Sequence, residues 1–271
     1  MIVLRYVIGI DLGTSAVKAL LVDQQGVVHR EVSKPYPLIR IQSGYSEQDP
    51  DAWVEQTWQA ISELTAGIDA ASIEGISFSG QMHGLVLLDK GGRWIRPAIL
   101  WNDTRTSEQC REIDQLAGDE VRSITKNPIL EGFTLPKLLW VKKYEPEHFA
   151  EAATFLLPKD YVRYRLTGEL HMDYSDAAGT LLLYVVTKQW STVLCERFNV
   201  PLSLCPPLVE SHVAVGTVLP SVAQATGLSP ETKVFAGGAD NACGAVGAGI
   251  LDEGMTLCSI GTSGVILTYQ A

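Results

Sequence analysis

The chain opens with short apolar runs that alternate with turns. Val7-Ile8-Gly9-Ile10-Asp11-Leu12-Gly13-Thr14-Ser15 reads as a strand broken by a Gly-Thr-Ser turn, with Val17 to Val22 as its return. Asp23-Gln24-Gln25-Gly26 turns the chain again and Val27 to Val32 supplies a third strand, so the opening is a meander. The period then changes to that of a helix. Asp49 is placed to cap it, Pro50 suits the first turn, and acidic Asp51 and Glu55 favour its N-terminal end. Trp53, Thr57, Ala60, Ile61 and Leu64 share one face before Gly67 ends the helix. Ile73 to Ser79 is strand again. Leu85 to Asp89 is expected to pair with Arg93 to Arg96 across Lys90-Gly91-Gly92, and Thr104 to Leu116 to form a polar helix. Between Pro128 and Val218 the pattern mixes short helices and turns, including a helix from Pro158 that Gly168 stops. Val234 to Gly238 then leads into Ala239 to Gly249. Four Ala and three Gly in those eleven positions predict a helix pressed tightly against its neighbours.

The tail carries the clearest organisational signal. Met255 to Thr268 is strand, Gly-Thr-Ser turn and strand once more, an echo of the opening. A unit repeated at both ends predicts two similar α/β domains, each beginning with this hairpin. Residues 1–250 then form the first domain, and 251–271 the start of a second that is largely absent. A two-stranded hairpin is marginal alone, and this one leaves Val265, Ile266 and Leu267 on unpaired edges. The segment after about Leu251 is therefore expected to be mobile or to pair with a second copy in a homodimer.

Composition narrows the function classes. The 271 residues are 46% hydrophobic and carry 21 basic against 31 acidic side chains, a net charge of −10. That is a folded chain, and without a Lys/Arg cluster it is not built for nucleic acid or an anionic membrane surface. No apolar run approaches the ~20 residues of a membrane span. The start has no basic leader and no small-residue cleavage site, so a signal peptide is not expected. Five scattered cysteines without a C-x-x-C pair read as reduced thiols in a cytoplasmic protein, with no zinc site. The five histidines are too dispersed for a metal centre.

The candidate chemistry begins at the turns. A Gly-Thr-Ser turn between two strands offers backbone N–H groups and hydroxyls to a phosphate. Gly13, Thr14 and Ser15 form one such turn and Gly261, Thr262 and Ser263 the other. Asp11 would stand beside the phosphates and hold Mg²⁺, through water, and Lys18 is a further phosphate contact. A single copy reads more simply as a tight hairpin with Asp11 capping its turn. Two copies at the ends of a domain favour a clamp that grips a nucleotide from both sides. Neither a Walker loop nor a dinucleotide-binding glycine fingerprint is present in a suitable context.

Six runs in order carry a family resemblance: Ile8-Gly9-Ile10-Asp11-Leu12-Gly13-Thr14-Ser15, Gly80-Gln81-Met82-His83-Gly84, Leu100-Trp101-Asn102-Asp103, Gly132-Phe133-Thr134-x-x-Lys137-x-x-Trp140, Gly238-Ala239-Asp240-Asn241 and Ser259-Ile260-Gly261-Thr262-Ser263-Gly264. Over essentially its whole length the chain resembles the FGGY carbohydrate kinases, and within them the xylulokinase branch. The resemblance implies an actin-like, ribonuclease-H-like fold of two α/β domains with the active site in the cleft between them. It implies ATP-dependent phosphorylation of a sugar hydroxyl with Mg²⁺, D-xylulose being the expected acceptor. It implies that Asp240 is the catalytic base, although an Asp at that point also suits a helix cap. Gln81, Met82 and His83 fall where the family contacts its sugar, with His83 as a hydroxyl partner and Met82 as a soft surface. Trp101 and Asn241 join them as sugar-binding candidates, Trp101 as an aromatic wall. Lys159-Asp160 and Ser175-Asp176 carry only structural roles, a helix start and a capped turn, and Lys142-Lys143 is expected at the solvated surface.

Three function classes stand against one another. The first is a sugar kinase, of which this chain alone is expected to be inactive because half of the nucleotide clamp is missing. The second is a module that binds sugar without catalysis, and the third an actin- or chaperone-like ATPase. Gln81-Met82-His83 and Asp240-Asn241 count against the third. The choice among ribulose, xylulose and related polyols turns on single stereocentres, which these runs do not separate.

Overall fold

A computed structural model describes residues 4–260 and 264–269. Its principal sheet has seven strands: β1 (Tyr6–Leu12), β2 (Ala16–Asp23), β3 (Val28–Pro35), β4 (Ile73–Gly80), β5 (Ala214–Thr217), β6 (Lys233–Phe235) and β7 (Gly238–Ala239). β1, β2 and β3 form the expected antiparallel meander. β4 then adds to the other side of β1 in parallel, as a crossover through a helix requires. β6 and β7 run parallel to β4 along its far edge, and β5 closes that edge antiparallel to β6. The arrangement is a mixed α/β sheet with flanking helices.

Alternation decides which face each strand buries. In β1 Tyr6, Ile8, Ile10 and Leu12 are buried, while Val7 and Gly9 face out. In β2 Val17, Ala19 and Leu21 are buried. Helix α1 (Pro50–Thr65) covers that apolar face with Trp53, Ala60, Ile61 and Leu64. Asp49 caps it as expected, accepting from the Asp51 amide, and Gly67 turns the chain away at φ +72°. The strand Val86–Leu88 works differently. Val86 and Leu88 enter this first core, whereas Leu85 and Leu87 enter a second one with Leu135, Leu138, Val141 and Phe155. A strand buried on both faces is continuously apolar, which is why Leu85-Val86-Leu87-Leu88 shows no alternation.

Three expectations need correction. Val86–Leu88 forms its longer ladder with Thr154–Leu156, while the expected partner after Gly92 pairs more briefly, through the Leu88–Trp94 bridge, the Asp89 amide on the Arg93 carbonyl at 2.8 Å and the Ile95 amide on the Leu87 carbonyl at 2.9 Å. The hairpin across Lys90-Gly91-Gly92 thus forms, and the correction is that a strand buried on both faces takes a second, remote partner on its other edge. The polar helix runs further than expected, as α2 (Ser107–Thr125), with a break at Ala117 (φ −156°). Third, the small-residue helix is not tightly enclosed. After α3 (Thr134–Tyr144), α4 (Pro158–Thr167) and α5 (Pro220–Thr226) comes α6 (Asp240–Gly247), in which only Ala245 is buried. Packing on α6 is one-sided here, so small residues are necessary for close approach but do not supply the neighbours. Of the two lysines expected at the surface, Lys143 pairs there with Glu108 and Glu112, while Lys142 donates to the carbonyls of Phe198 and Asn199. The final hairpin forms, Thr256–Ile260 against Gly264–Thr268, and pairs with no other strand among the described residues. Its turn, Gly261 to Ser263, lies outside the described residues.

One glycine sets the path into α6. Between β6 and β7 the chain jogs through Gly237 at φ +74°, where an added Cβ would lie 2.0 Å from the Phe78 carbonyl oxygen of β4. Only a residue without a side chain lets β6 and β7 share the edge of one strand. Gly237→Ala is expected to cost about 2–3 kcal/mol or more in urea unfolding. Gly244→Ala, in α6 with open space around it, should be neutral or stabilising by about 0.5–1 kcal/mol. Similar small effects at both positions would contradict this account of the jog.

Candidate active site

The carboxyl ends of three parallel strands meet at one level. Asp11 of β1 stands opposite Ser79 of β4, and Ser79 opposite Gly238 of β7. Everything that follows these positions is delivered to the same rim, the usual place for a ligand in an open α/β sheet. Gln81 and His83 leave from β4, Gly13 to Ser15 from β1, and Asp240 from β7.

The first hairpin turn is held from several sides. The Tyr36 hydroxyl donates to the Gly13 carbonyl, Gln48 Nε2 to the Thr14 carbonyl at 2.8 Å, and Trp101 Nε1 to Thr14 Oγ1 at 2.9 Å. The Gly13 amide is used by the Ala16 carbonyl. Among the described residues nothing accepts from the amides of Thr14 and Ser15, so these two remain as donors. Lys18 lies directly across β2 from Asp11. Both line an open groove of about 540 Å³ with Ser79 and Cys243.

His83 sits in a strained conformation that is fixed by its surroundings. Its φ is +66°, rare for a residue with a side chain. Thr134 Oγ1 and Lys137 Nζ both donate to its carbonyl, at 3.2 and 2.9 Å. Lys137 is fully buried and also donates to the Gly132 carbonyl at 2.6 Å. The His83 ring rests on Phe133 with centroids 4.6 Å apart, and its Nδ1 meets the Gly179 carbonyl at 2.8 Å. A carbonyl only accepts, so Nδ1 carries the hydrogen. Burial pushes the ring pKa down to about 4, with the nearby Lys137 acting in the same direction. The ring is neutral at pH 7 and its Nε2 is an acceptor for a hydroxyl.

Gln81 is buried and turned inward. Its amide group donates to Gln48 Oε1 at 3.1 Å, while its own Oε1 has no partner. Met82 points the other way, its sulfur 3.7 Å from Asn241 Nδ2. Trp101 is 45% exposed, so its ring is a wall of the rim and not core. Its loop is anchored beneath by buried Asp103, which accepts from the Ser46 amide and pairs with Arg105. Arg105 in turn lies over Tyr45, 3.7 Å from the ring centroid.

Asp240 is the first residue of α6, not its N-cap, which is Ala239. Its Oδ1 accepts from the Asn241 amide at 2.7 Å. Asp240 reaches solvent, and partial desolvation with the neighbouring Asp11 carboxylate holds its pKa above the ordinary carboxylate value. The two carboxylates are near enough to repel one another.

Of the site residues expected from sequence, Asp11, Gly13, Thr14, Ser15, Lys18, Gln81, Met82, His83, Trp101, Asp240 and Asn241 fall on this rim or directly beneath it. Gly261, Thr262 and Ser263 lie outside the described residues. Sequence reasoning gave no task to Lys137, Gln48 or Gly179. Lys137 stood inside a quoted run, and its spacing after Phe133-Thr134 was the available signal. Gly179 gave none, since only the fold shows that a Cβ there would lie 2.6 Å from the His83 ring.

The comparisons with known proteins bear directly on this rim. The FGGY family of carbohydrate kinases, N-terminal domain, matches residues 6–247. The chain belongs to that family. It is 61% identical to the xylulose kinase of Bacillus subtilis (strain 168) over 269 residues, which cover 98% of this chain and 54% of that protein. A crystal structure of a xyloylose kinase from Brucella ovis superposes with a TM-score of 0.89 at 40% identity, covering 97% of this chain and 53% of that one. A gluconate kinase from Lactobacillus acidophilus superposes with a TM-score of 0.94 at 30% identity, covering 98% and 54%. The chain therefore spans about half the length of the relatives it matches. The neighbours carry the actin-like fold of this family. No helix among the described residues is long and apolar enough to cross a membrane.

The His83 environment yields a test on stability. Unfolded, His83 takes up a proton near pH 6.5; folded, only near pH 4. Between those values the unfolded chain binds the extra proton. The contribution is therefore complete above about pH 6.5 and lost as pH falls towards 4. In His83→Asn, which tolerates positive φ and can donate to the Gly179 carbonyl, urea-derived stability should fall less steeply across that window. Parallel pH curves for the two proteins would contradict a neutral buried His83.

Proposed function

We propose that this chain is the sugar-holding half of an ATP-dependent kinase that phosphorylates a pentulose, with D-xylulose giving D-xylulose 5-phosphate. The observation that carries the proposal is the rim itself. A carboxylate with a raised pKa, Asp240, stands near Asp11 and next to Asn241, whose side chain meets Met82, and Trp101 and a neutral His83 extend from the same rim. The names of the relatives support the same acceptor class. The gluconate kinase superposes at least as well on the backbone, with a TM-score of 0.94 against 0.89, so the choice of acceptor lies in side chains and not in the fold.

A sugar hydroxyl is a poor nucleophile and needs a proton acceptor as it attacks the γ-phosphorus. In the proposed step the new bond joins the sugar oxygen to phosphorus. The bond from phosphorus to the β,γ-bridging oxygen breaks, ADP leaves, and the hydroxyl proton passes to Asp240. Thr14 and Ser15 amides and Lys18 receive phosphate oxygens. His83 Nε2 accepts from a second hydroxyl and Met82 lies along the carbon chain. Asp11 suits Mg²⁺, which uses one or two carboxylates and keeps most of its waters; bound with ATP, it neutralises charge on the phosphates. Residues 1–250 serve as the sugar-binding domain, and 251–271 open the domain that completes the nucleotide clamp. On this reading the chain alone does not turn over.

The test uses the full-length protein. Asp240→Asn keeps the size and the acceptor oxygen towards the Asn241 amide but cannot take the proton. Its kcat with D-xylulose should fall by about 10²–10⁴-fold, with both KM values and the melting temperature little changed. A variant that loses stability yet turns over normally when folded would reduce Asp240 to a structural residue of the first turn of α6.

A further inference from the structure

Asp240 follows a segment whose backbone groups are tied into the interior. The Ala236 carbonyl accepts from Arg163 at 2.8 Å, the Gly237 amide donates to the Ser211 carbonyl at 3.0 Å, and the Ala239 amide donates to Ser175 Oγ at 2.9 Å. The last of these ties the residue just before Asp240 to a side chain. It leads inward. The Ser175 hydroxyl donates to Asp173 Oδ2, which also accepts from Ser211 Oγ at 2.8 Å. Asp173 Oδ1 pairs with Lys159 Nζ at 2.8 Å, and Lys159 reaches Asp160 at 2.7 Å and Asp176 at 3.0 Å. All four of these side chains are fully buried, and burial together with the neighbouring aspartates pushes the Asp176 carboxyl up to about 8. Burial alone would strip the Lys159 proton, and the three carboxylates hold it on. Burial likewise opposes the charge on Asp173, yet Lys159 and the two serine hydroxyls keep it ionised.

The geometry matches a bracket and not a metal site. Asp160, Asp173 and Asp176 have the spacing of a cation site, but Lys159 already stands among them. Such a cluster moves little, because shifting one member strands a buried charge. We infer that Ser175 is a positioning residue: its hydroxyl, held by Asp173, fixes the Ala239 amide and thereby the direction in which Asp240 meets the acceptor hydroxyl. The cap of α6 is consistent with this. Ala239 makes no side-chain cap hydrogen bond, so at the cap position the restraint comes from Ser175, outside the helix.

This inference deepens the kinase reading and rests on it for its catalytic part. Ser175→Ala removes the acceptor of the Ala239 amide and leaves the side chains of Asp240, Met82 and His83 chemically unchanged. In the full-length protein with D-xylulose and Mg-ATP, kcat should fall by roughly 10–100-fold, as expected for a small misplacement, with KM values within about twofold. Ser175→Thr, which keeps the hydroxyl, should recover most of the rate. In an Asp240→Asn background Ser175→Ala should cost nothing further, since the residue it positions no longer works. Independently of turnover, amide exchange over residues 239–241 should quicken in Ser175→Ala, while exchange in β1 and α1 stays unchanged. Unchanged exchange at 239–241, or equal losses from Ser175→Ala with and without Asp240, would overturn the inference. Wild-type protein without sugar-dependent turnover would overturn the kinase reading instead, and the exchange result would still decide the tether.

Discussion

Register along β4 is the constraint on which the rest of this structure depends. β4 has β1 on one side and both β6 and β7 on the other, all parallel to it. Because side chains alternate with a period of two, a slip of one residue would turn each rim residue to the opposite face. The register is protected from both directions. On the β1 side the apolar set from Tyr6 to Leu12 would lose its core, and on the β7 side Gly237 lies too close to Phe78 to slide. Gly80 adds a third restraint, with Leu12 and Lys159 each 3.1 Å from where its Cβ would be. Asp11, His83 and Asp240 come together because the strands that carry them must end at one level.

Two buried charged sets support that rim from below. Lys159 with its three aspartates lies under β7, and Arg96 and Arg105 with Glu47 and Asp103 lie under the Trp101 loop. Buried ion pairs of this kind contribute little net stability compared with apolar packing, while breaking one is costly. Their value here is positional. Each joins segments that are distant in the chain: Asp103 to the Ser46 amide, and Asp173 through Ser175 to the Ala239 amide. Lys137 does the same for His83, donating to its carbonyl and to that of Gly132.

Much of this was legible in the residues, and what was not has a physical reason. The meander, α1 with its Asp49 cap, β4 and the Gly168 stop all rest on local chemistry: alternation, capping and positive φ. Asp11, His83 and Asp240 were visible because they sit in short runs shared with a known family. The local hairpin from Val86–Leu88 to Arg93–Ile95 was legible, but the second partner, Thr154–Leu156, is remote, and a continuously apolar strand does not name its neighbour. The crowding expected around α6 failed for a related cause. Small residues record that something approaches closely, but the described residues supply only one side. Lys159 and Ser175 looked merely structural because their partners converge only in three dimensions, and a lysine fully buried among aspartates has no local signature.

The central claim is that one rim holds the acceptor sugar with Asp240 at the reacting hydroxyl. A crystal structure of the full-length protein with D-xylulose and a non-hydrolysable ATP analogue tests it most directly. The account predicts an Asp240 carboxylate oxygen about 2.6–3.2 Å from the hydroxyl that faces the γ-phosphate, with His83 Nε2 at a second hydroxyl and Met82 along the carbon chain. A sugar bound away from Asp240, or one whose phosphate-facing hydroxyl meets a different base, would contradict it.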